Sequence, residues 1–321
     1  MGAKAGTRKP ARRQYNRPAL ALFDRAIARM LPAVPKPVVR RFSGRYIAGE
    51  ELGDAIGAVR TLNEAGKKAT LDVLGEEVES REEAVAIHAE YERALTEIEA
   101  ERLDANVSVK LTALGLKVDP ALCGESVRAL VNAAAESGRF VRIDMEDAST
   151  TTATLDLYRE LRAEGHENVG IVLQAMLRRT LDDVHELLEL RPNVRVCKGI
   201  YLEPAEVAYQ GYDTVRFNFA EAVSALFDGG AKVAVATHDD WVVSEALALI
   251  EERDLGFDRY EFQLLLGVRE DLADELVREG HTVRIYVPYG RQWYEYSLRR
   301  LQENPKIAGY VAADTLRRLR P

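Results

Sequence analysis

At 321 residues and 35.8 kDa, with 47% hydrophobic and 30% charged residues, the chain can bury a sizeable core under a well-solvated surface. This excludes a disordered, collagen-like or disulfide-stapled polypeptide. Two cysteines, Cys123 and Cys197, are too few for a disulfide framework and suit a reducing compartment. No apolar run reaches the roughly 18 residues of a membrane span. Even residues 19–34 are interrupted by Asp24, Arg25 and Arg29, which also argues against a secretory leader. The expectation is a soluble cytoplasmic protein.

The formal net charge of -8 conceals a split. Residues 1–45 hold twelve Lys or Arg against the single acid Asp24, a net +11, which leaves -19 for the rest. Five of the eleven prolines also fall in this stretch. Such a basic arm either packs on the acidic body or makes transient contact with an anionic membrane surface. The acidic body itself disfavours nucleic acid. Residues 1–65 therefore read as a basic arm and helical extension, and residues 66–321 as a second, catalytic region.

From residue 66 onward, β-branched runs alternate with helical patterns. The runs cover residues 69–74, 107–111, 140–145, 169–173, 194–198, 233–237, 260–265 and 282–287. Helical periodicity fills the gaps at 80–103, 126–137, 155–164, 181–189, 218–227, 241–252 and 270–279, and again at 292–301. Ser80 and Glu83 form a capping-box pair at the first of these. Strands that each precede a helix pair in parallel through right-handed crossovers. Eight such units in about 250 residues predict a (β/α)8 TIM barrel, an α/β fold. An open doubly wound sheet is disfavoured because neither G-x-G-x-x-G nor a P-loop occurs.

In a barrel the strand C-termini surround one mouth. Here they carry Lys110, Asp144 through Asp147, Gln174, Arg195 with Lys198, Thr237 with His238 and Asp239, Gln263 and Tyr286. A purely structural barrel has apolar or small residues at most such places. Zinc is disfavoured, since the five histidines form no H-x-H or H-E-x-x-H pair. A magnesium site at Asp144, Glu146 and Asp147 is weakened because strand alternation sets Asp147 apart. Lys110 and Lys198 each suit a Schiff-base aldolase, but Asp144 on the next strand favours a charged Lys110 paired with it. Farther on, Tyr296, Arg299, Arg300 and Glu303 share one helical face. Two guanidiniums there can clamp a small carboxylate.

Taken together, the segments Ser108–Thr112, Val141–Asp147, Gly170–Gln174, Arg195–Tyr201, Ala236–Asp239, Arg284–Gly290 and Tyr296–Glu303 closely resemble monofunctional bacterial proline dehydrogenases. The resemblance covers residues 40–305 in consistent order. It implies a distorted TIM barrel binding FAD, and oxidation of L-proline to 1-pyrroline-5-carboxylate. Hydride would pass from proline C5 to flavin N5, and electrons onward to a membrane quinone. By motif it implies Asp144 and Arg195 in catalysis, and Lys110, Tyr201, Leu265, Tyr286, Tyr296, Arg299 and Arg300 around the substrate. The flavin positions would be Met145, Gln174, Lys198, Gly199, Ile200, Thr237, His238, Gln263 and Glu303. Ile200 replaces a small residue usual in the family, and Leu266 replaces a tyrosine. The long connection at residues 201–213 is expected to cover part of the flavin.

Overall fold

Alternation within each strand places one set of side chains toward the helices and the other toward the barrel axis. The outward set is aliphatic: Leu71, Val107, Val109, Ile143, Ile171, Val196, Val235, Leu264 and Ile285 are all buried. Transfer of that surface from water is the main source of stability, about 25 cal/mol per Å² of apolar area. A computed structural model describes residues 44–75 and 77–294, together with Arg40, Tyr296 and Ser297.

Helix α1 (Leu52–Glu64) directly precedes the first strand. Each strand then leads to a helix: β1 (Lys68–Val73) to α2 (Arg81–Ala100), β2 (Ala105–Val109) to α3 (Pro120–Glu136), β3 (Val141–Ile143) to α4 (Thr151–Ala163), and β4 (Val169–Gln174) to α5 (Thr180–Leu187). The series continues with β5 (Asn193–Cys197), α6 (Tyr212–Asp228), β6 (Lys232–Ala236), α7 (Asp240–Glu252), β7 (Tyr260–Leu265), α8 (Glu270–Arg278) and β8 (Val283–Tyr289). The eight strands are parallel and close into a barrel, with β8 pairing back onto β1. This is the (β/α)8 architecture that the sequence predicts.

Helix starts show where periodicity falls short. Helix α3 begins at Pro120, six residues before the apolar pattern indicates, because Asp119 accepts a cap bond from Leu122 N at 3.1 Å and Pro120 needs no N–H donor. Helix α6 likewise begins at Tyr212, directly after Gly211. At α2, Ser80 Oγ accepts from Glu83 N at 3.2 Å as expected, but the reciprocal Glu83 carboxylate bond goes to Glu79 N at 2.8 Å.

Residues 42–294 form one compact unit, and residues 1–41 with 295–321 form another. Within the first, the segment before α1 is tied to the end of β8: Ala48 N donates to Pro288 O and Gly290 N to Gly49 O, both at 3.0 Å. Gly267 lies against the same segment in the left-handed region at φ 70°, where a Cβ would come within 1.9 Å of Arg45 O. Helix α1 buries Leu52, Ala55, Ile56 and Val59 against β1 and β8. It lies ahead of the boundary at residue 65 drawn from sequence and shares the barrel's core. Among the described residues no helix is long and apolar enough to cross a membrane.

Candidate active site

The inward face of the strands is polar. Register links Asp72 to Ser108, Ser108 to Arg142, Val172 to Arg195, Ala236 to Gln263 and Leu265 to Tyr286 across successive strands. One parity thus runs around the barrel, and it carries charge where a packed barrel usually carries Val, Ile or Leu. The charges sort into two levels along the axis.

The upper level, toward the strand C-termini, centres on Asp144, 8% exposed and just past β3. Its Oδ1 accepts from Ser108 Oγ and from Arg195 Nη1, each at 2.6 Å. Its Oδ2 accepts from the Tyr286 hydroxyl at 2.7 Å. That hydroxyl accepts in turn from Lys110 Nζ at 3.2 Å. Lys110 lies 3.9 Å from Asp144 but donates at 2.5 Å to Oδ1 of Asp72, a fully buried residue on β1. The main partner of Lys110 is therefore Asp72, where sequence pairs it with Asp144. Arg195 also donates through Nε to Gln263 Oε1 at 2.5 Å, and its guanidinium carbon sits 5.3 Å from the Tyr286 ring centroid. Among the described residues, buried Arg195 Nη2 has no hydrogen-bond partner.

Burial alone raises the Asp144 pKa, but Arg195, Lys110 and the hydroxyls of Ser108 and Tyr286 outweigh it and hold the carboxyl below its ordinary value. Asp144 is accordingly an ionised acceptor with strong donors on both oxygens, poorly suited to taking a proton.

The lower level consists of Arg142, Glu261 and Arg284. Arg142, 2% exposed, donates through Nη1 to Ile171 O at 3.0 Å and Asn193 O at 2.7 Å, and through Nη2 to Asn193 Oδ1 at 2.7 Å. Gly170 leaves room for it, since a Cβ there would lie 2.5 Å from Arg142 Nη1. Glu261 accepts from Arg284 Nε at 2.9 Å, and Arg284 Nη1 reaches Ala69 O at 2.8 Å. Burial pushes the Glu261 pKa up, yet Arg284, Gln263 and Arg142 bring it down to about 2. Burial likewise lowers Arg142 to about 9.

A third cluster lies on the strand-end face. Asp239, at the N-cap of α7, accepts from Lys198 Nζ, from the Tyr212 hydroxyl at 2.7 Å and from Arg216 Nε and Nη2 at 2.7 and 2.5 Å. These donors overcome burial and hold its carboxyl far below the ordinary range. Asp239 N donates to Thr237 Oγ1 at 3.2 Å, and His238 Nε2 accepts from Leu265 N at 3.0 Å. That bond makes Nδ1 the protonated nitrogen of a neutral His238.

The structure thus brings Lys110, Asp144, Arg195, Gln263 and Tyr286 into one network, and Lys198 with Thr237 into another. Gln174 is buried and donates to Glu146 O at 2.7 Å. Met145 is buried beside Asp144 in sequence, Tyr201 packs partly against the core, and Ile200 is 41% exposed. Gly199 has φ 95°, and a Cβ there would overlap Met176. The connection after β5 is pinned by a bridge between Leu177 and Ala208 and by Tyr209 N donating to Met176 O at 2.8 Å. Tyr296 belongs to the second unit. Arg299, Arg300 and Glu303 lie outside the described residues. Asp72, Ser108, Tyr212 and Arg216 are the participants that sequence reasoning did not name as site residues; Asp239 was placed at the barrel mouth but given no role. For Asp72 a signal existed, an acid at inward parity within the apolar run 69–74.

Among the described residues no group of three or more His, Cys, Asp or Glu is placed to hold a metal ion. The family model for proline dehydrogenase matches residues 55–313. The chain belongs to the proline dehydrogenase family. Proline dehydrogenase 1 of Bacillus subtilis is 36% identical over 274 residues, covering 85% of this chain and 90% of the relative. The proline dehydrogenase of Deinococcus radiodurans is 38% identical over 279 residues, covering 85% and 89%. The crystal structure of proline utilization A from Bdellovibrio bacteriovorus, inactivated by N-propargylglycine, superposes with a TM-score of 0.79 at 24% identity. That match covers 89% of this chain and 36% of the larger protein, and it establishes a shared barrel fold.

Proposed function

We infer that this chain is a proline dehydrogenase, oxidising L-proline to 1-pyrroline-5-carboxylate with FAD as its cofactor and a quinone as the final electron acceptor. The observation that carries the reading is the buried ion network around Asp144, built at the strand ends of a chain in this family. The residues fit a flavin: Arg195 keeps a buried Nη2 with no hydrogen-bond partner among the described residues, and Lys198, Gln174 and His238 supply polar groups on the strand-end face. Bound there, FAD supplies a two-electron acceptor.

The protein's own contribution is placement and charge. Lys110, Asp144 and Tyr286 border the substrate, with the Tyr286 hydroxyl fixed between ammonium and carboxylate. Arg299 and Arg300 are assigned the proline carboxylate, because adjacent guanidiniums can bind it with charge-assisted bonds. The positive charge of Arg195 favours electron density arriving beside it. Asp72 close to Lys110 favours its ammonium form, which opposes Schiff-base chemistry. Support for the quinone and for a peripheral position at the membrane comes from the family resemblance and the +11 charge of residues 1–45.

A visible spectrum before and after anaerobic proline tests the assignment. A flavin band that proline bleaches is expected. Colourless protein that borohydride links to a carbonyl substrate through Lys110 would overturn it in favour of the aldolase.

A further inference from the structure

Gln263 is held between two groups of opposite hydrogen-bonding character. Its Nε2 donates to Glu261 Oε1 on the same strand, and its Oε1 accepts from Arg195 Nε at 2.5 Å. An ionised carboxylate only accepts and a guanidinium only donates, so a single orientation of the amide satisfies both neighbours. Glu261 is 7% exposed and is anchored on its other side by Arg284 Nε at 2.9 and 3.2 Å. Arg284 is itself tied to the backbone at Ala69 O. A continuous line of contacts thus runs from the wall of the barrel through Glu261 and Gln263 to Arg195.

We propose that Glu261 is a positioning residue for the oxidation. By locking the Gln263 amide with its oxygen toward Arg195 Nε, it fixes the guanidinium plane. Asp144 and Ser108 hold Nη1, at 2.6 and 3.3 Å, so that Nη2 is the arm left to meet the flavin. This inference rests on the reading that Arg195 faces the bound cofactor. Glu261 touches neither substrate nor flavin in this scheme. It acts at one remove, through the orientation of a neutral amide that it and Arg195 hold from opposite ends.

The test uses the flavin-loaded enzyme and two readouts, the midpoint potential of the flavin and the division of effect between kcat and KM. Glu261→Gln keeps the shape but removes the obligate acceptor that holds the far end of the Gln263 amide. Its potential is expected to fall in the same direction as that of Gln263→Met. The double variant should fall no further than Gln263→Met alone, because both act on one contact. The kcat should drop by about ten- to a hundred-fold, as for a misplaced catalytic group, with KM for proline nearly unchanged.

A Glu261→Gln potential equal to wild type, or potential shifts that sum in the double variant, overturns the proposal. If Glu261→Gln does not fold, Glu261→Met/Arg284→Met removes both charges together, which buried pairs tolerate better than loss of one. A lowered potential in that variant supports the proposal and an unchanged one overturns it. Wild-type protein that binds no flavin, or whose flavin proline does not bleach, overturns the underlying reading as well. An active wild type with a silent Glu261→Gln overturns the positioning role alone.

Discussion

The two charged levels inside the barrel are equally buried yet differently bonded. In the lower one, Arg142 and Arg284 end on main-chain carbonyls of Ile171, Asn193 and Ala69. In the upper one, Lys110, Asp144, Arg195 and Tyr286 end on other side chains, one another together with Asp72, Ser108 and Gln263. Burial alone therefore does not separate framework from chemistry; the kind of partner does. A charge sewn to strand backbone stiffens the sheet and cannot turn toward a ligand. A charge held by other side chains keeps a fixed place while leaving atoms such as Arg195 Nη2 for something else.

The contrast can be broken most forcefully at its base. Glu261→Ala leaves Arg142 and Arg284 without their buried counter-charge and should cost about 3–5 kcal/mol of stability, read from the urea midpoint. A loss below about 1 kcal/mol would show that the lower level is no framework. At the upper level, Arg195→Met should lower kcat/KM for proline by about 10²–10³-fold, with a smaller shift in urea midpoint than Glu261→Ala. Equal stability losses would erase the distinction. Gly170→Ala, whose new Cβ would crowd Arg142 Nη1 and lie 2.7 Å from Asn193 O, should destabilise by about 1–3 kcal/mol while the kcat of the folded fraction is kept.

Tyr286→Phe removes one donor from Asp144 and one acceptor from Lys110. It should reduce kcat/KM by about 1–1.5 kcal/mol, with little change in melting temperature. A further effect lies in acid. Despite burial, Arg284, Gln263 and Arg142 lower the Glu261 pKa to about 2 from its ordinary 4.5. Its stabilisation is therefore complete above about pH 4.5 and fades as pH falls toward 2. Glu261→Gln should flatten that part of the stability curve, and an unchanged acid slope would place the titration elsewhere.

The strands were legible because each carries an apolar outward face, and their alternation with helical patterns dictates eight parallel units. Helix starts were less so, since Asp119 and Gly211 begin their helices before the apolar period does. Lys110, Asp144, Arg195, Gln263 and Tyr286 could be named from their places at strand ends. Their wiring could not, because it depends on register. Asp72 meets Lys110 across 38 residues, and Asp239 meets Lys198 across 41. Asp72 hid within an apolar run whose other parity faces the helices. Arg216 hid on a helix, where one arginine reads as solvated surface.

The tie between residues 45–49 and the end of β8 has a consequence for any attempt to shorten the chain. Starting a fragment at residue 66 removes the bonds to Pro288 O and Gly290 N, the close contact at Gly267, and the apolar face of α1 laid over β1 and β8. Among the described residues, the β8–β1 seam is then held by its own ladder and the flanking helices α2 and α8. Opened there, the closed barrel becomes a sheet with two bare edges, each a template for pairing with another molecule. Such a fragment should be recovered as aggregate, and restoring the chain from Arg45 should return it to the soluble fraction.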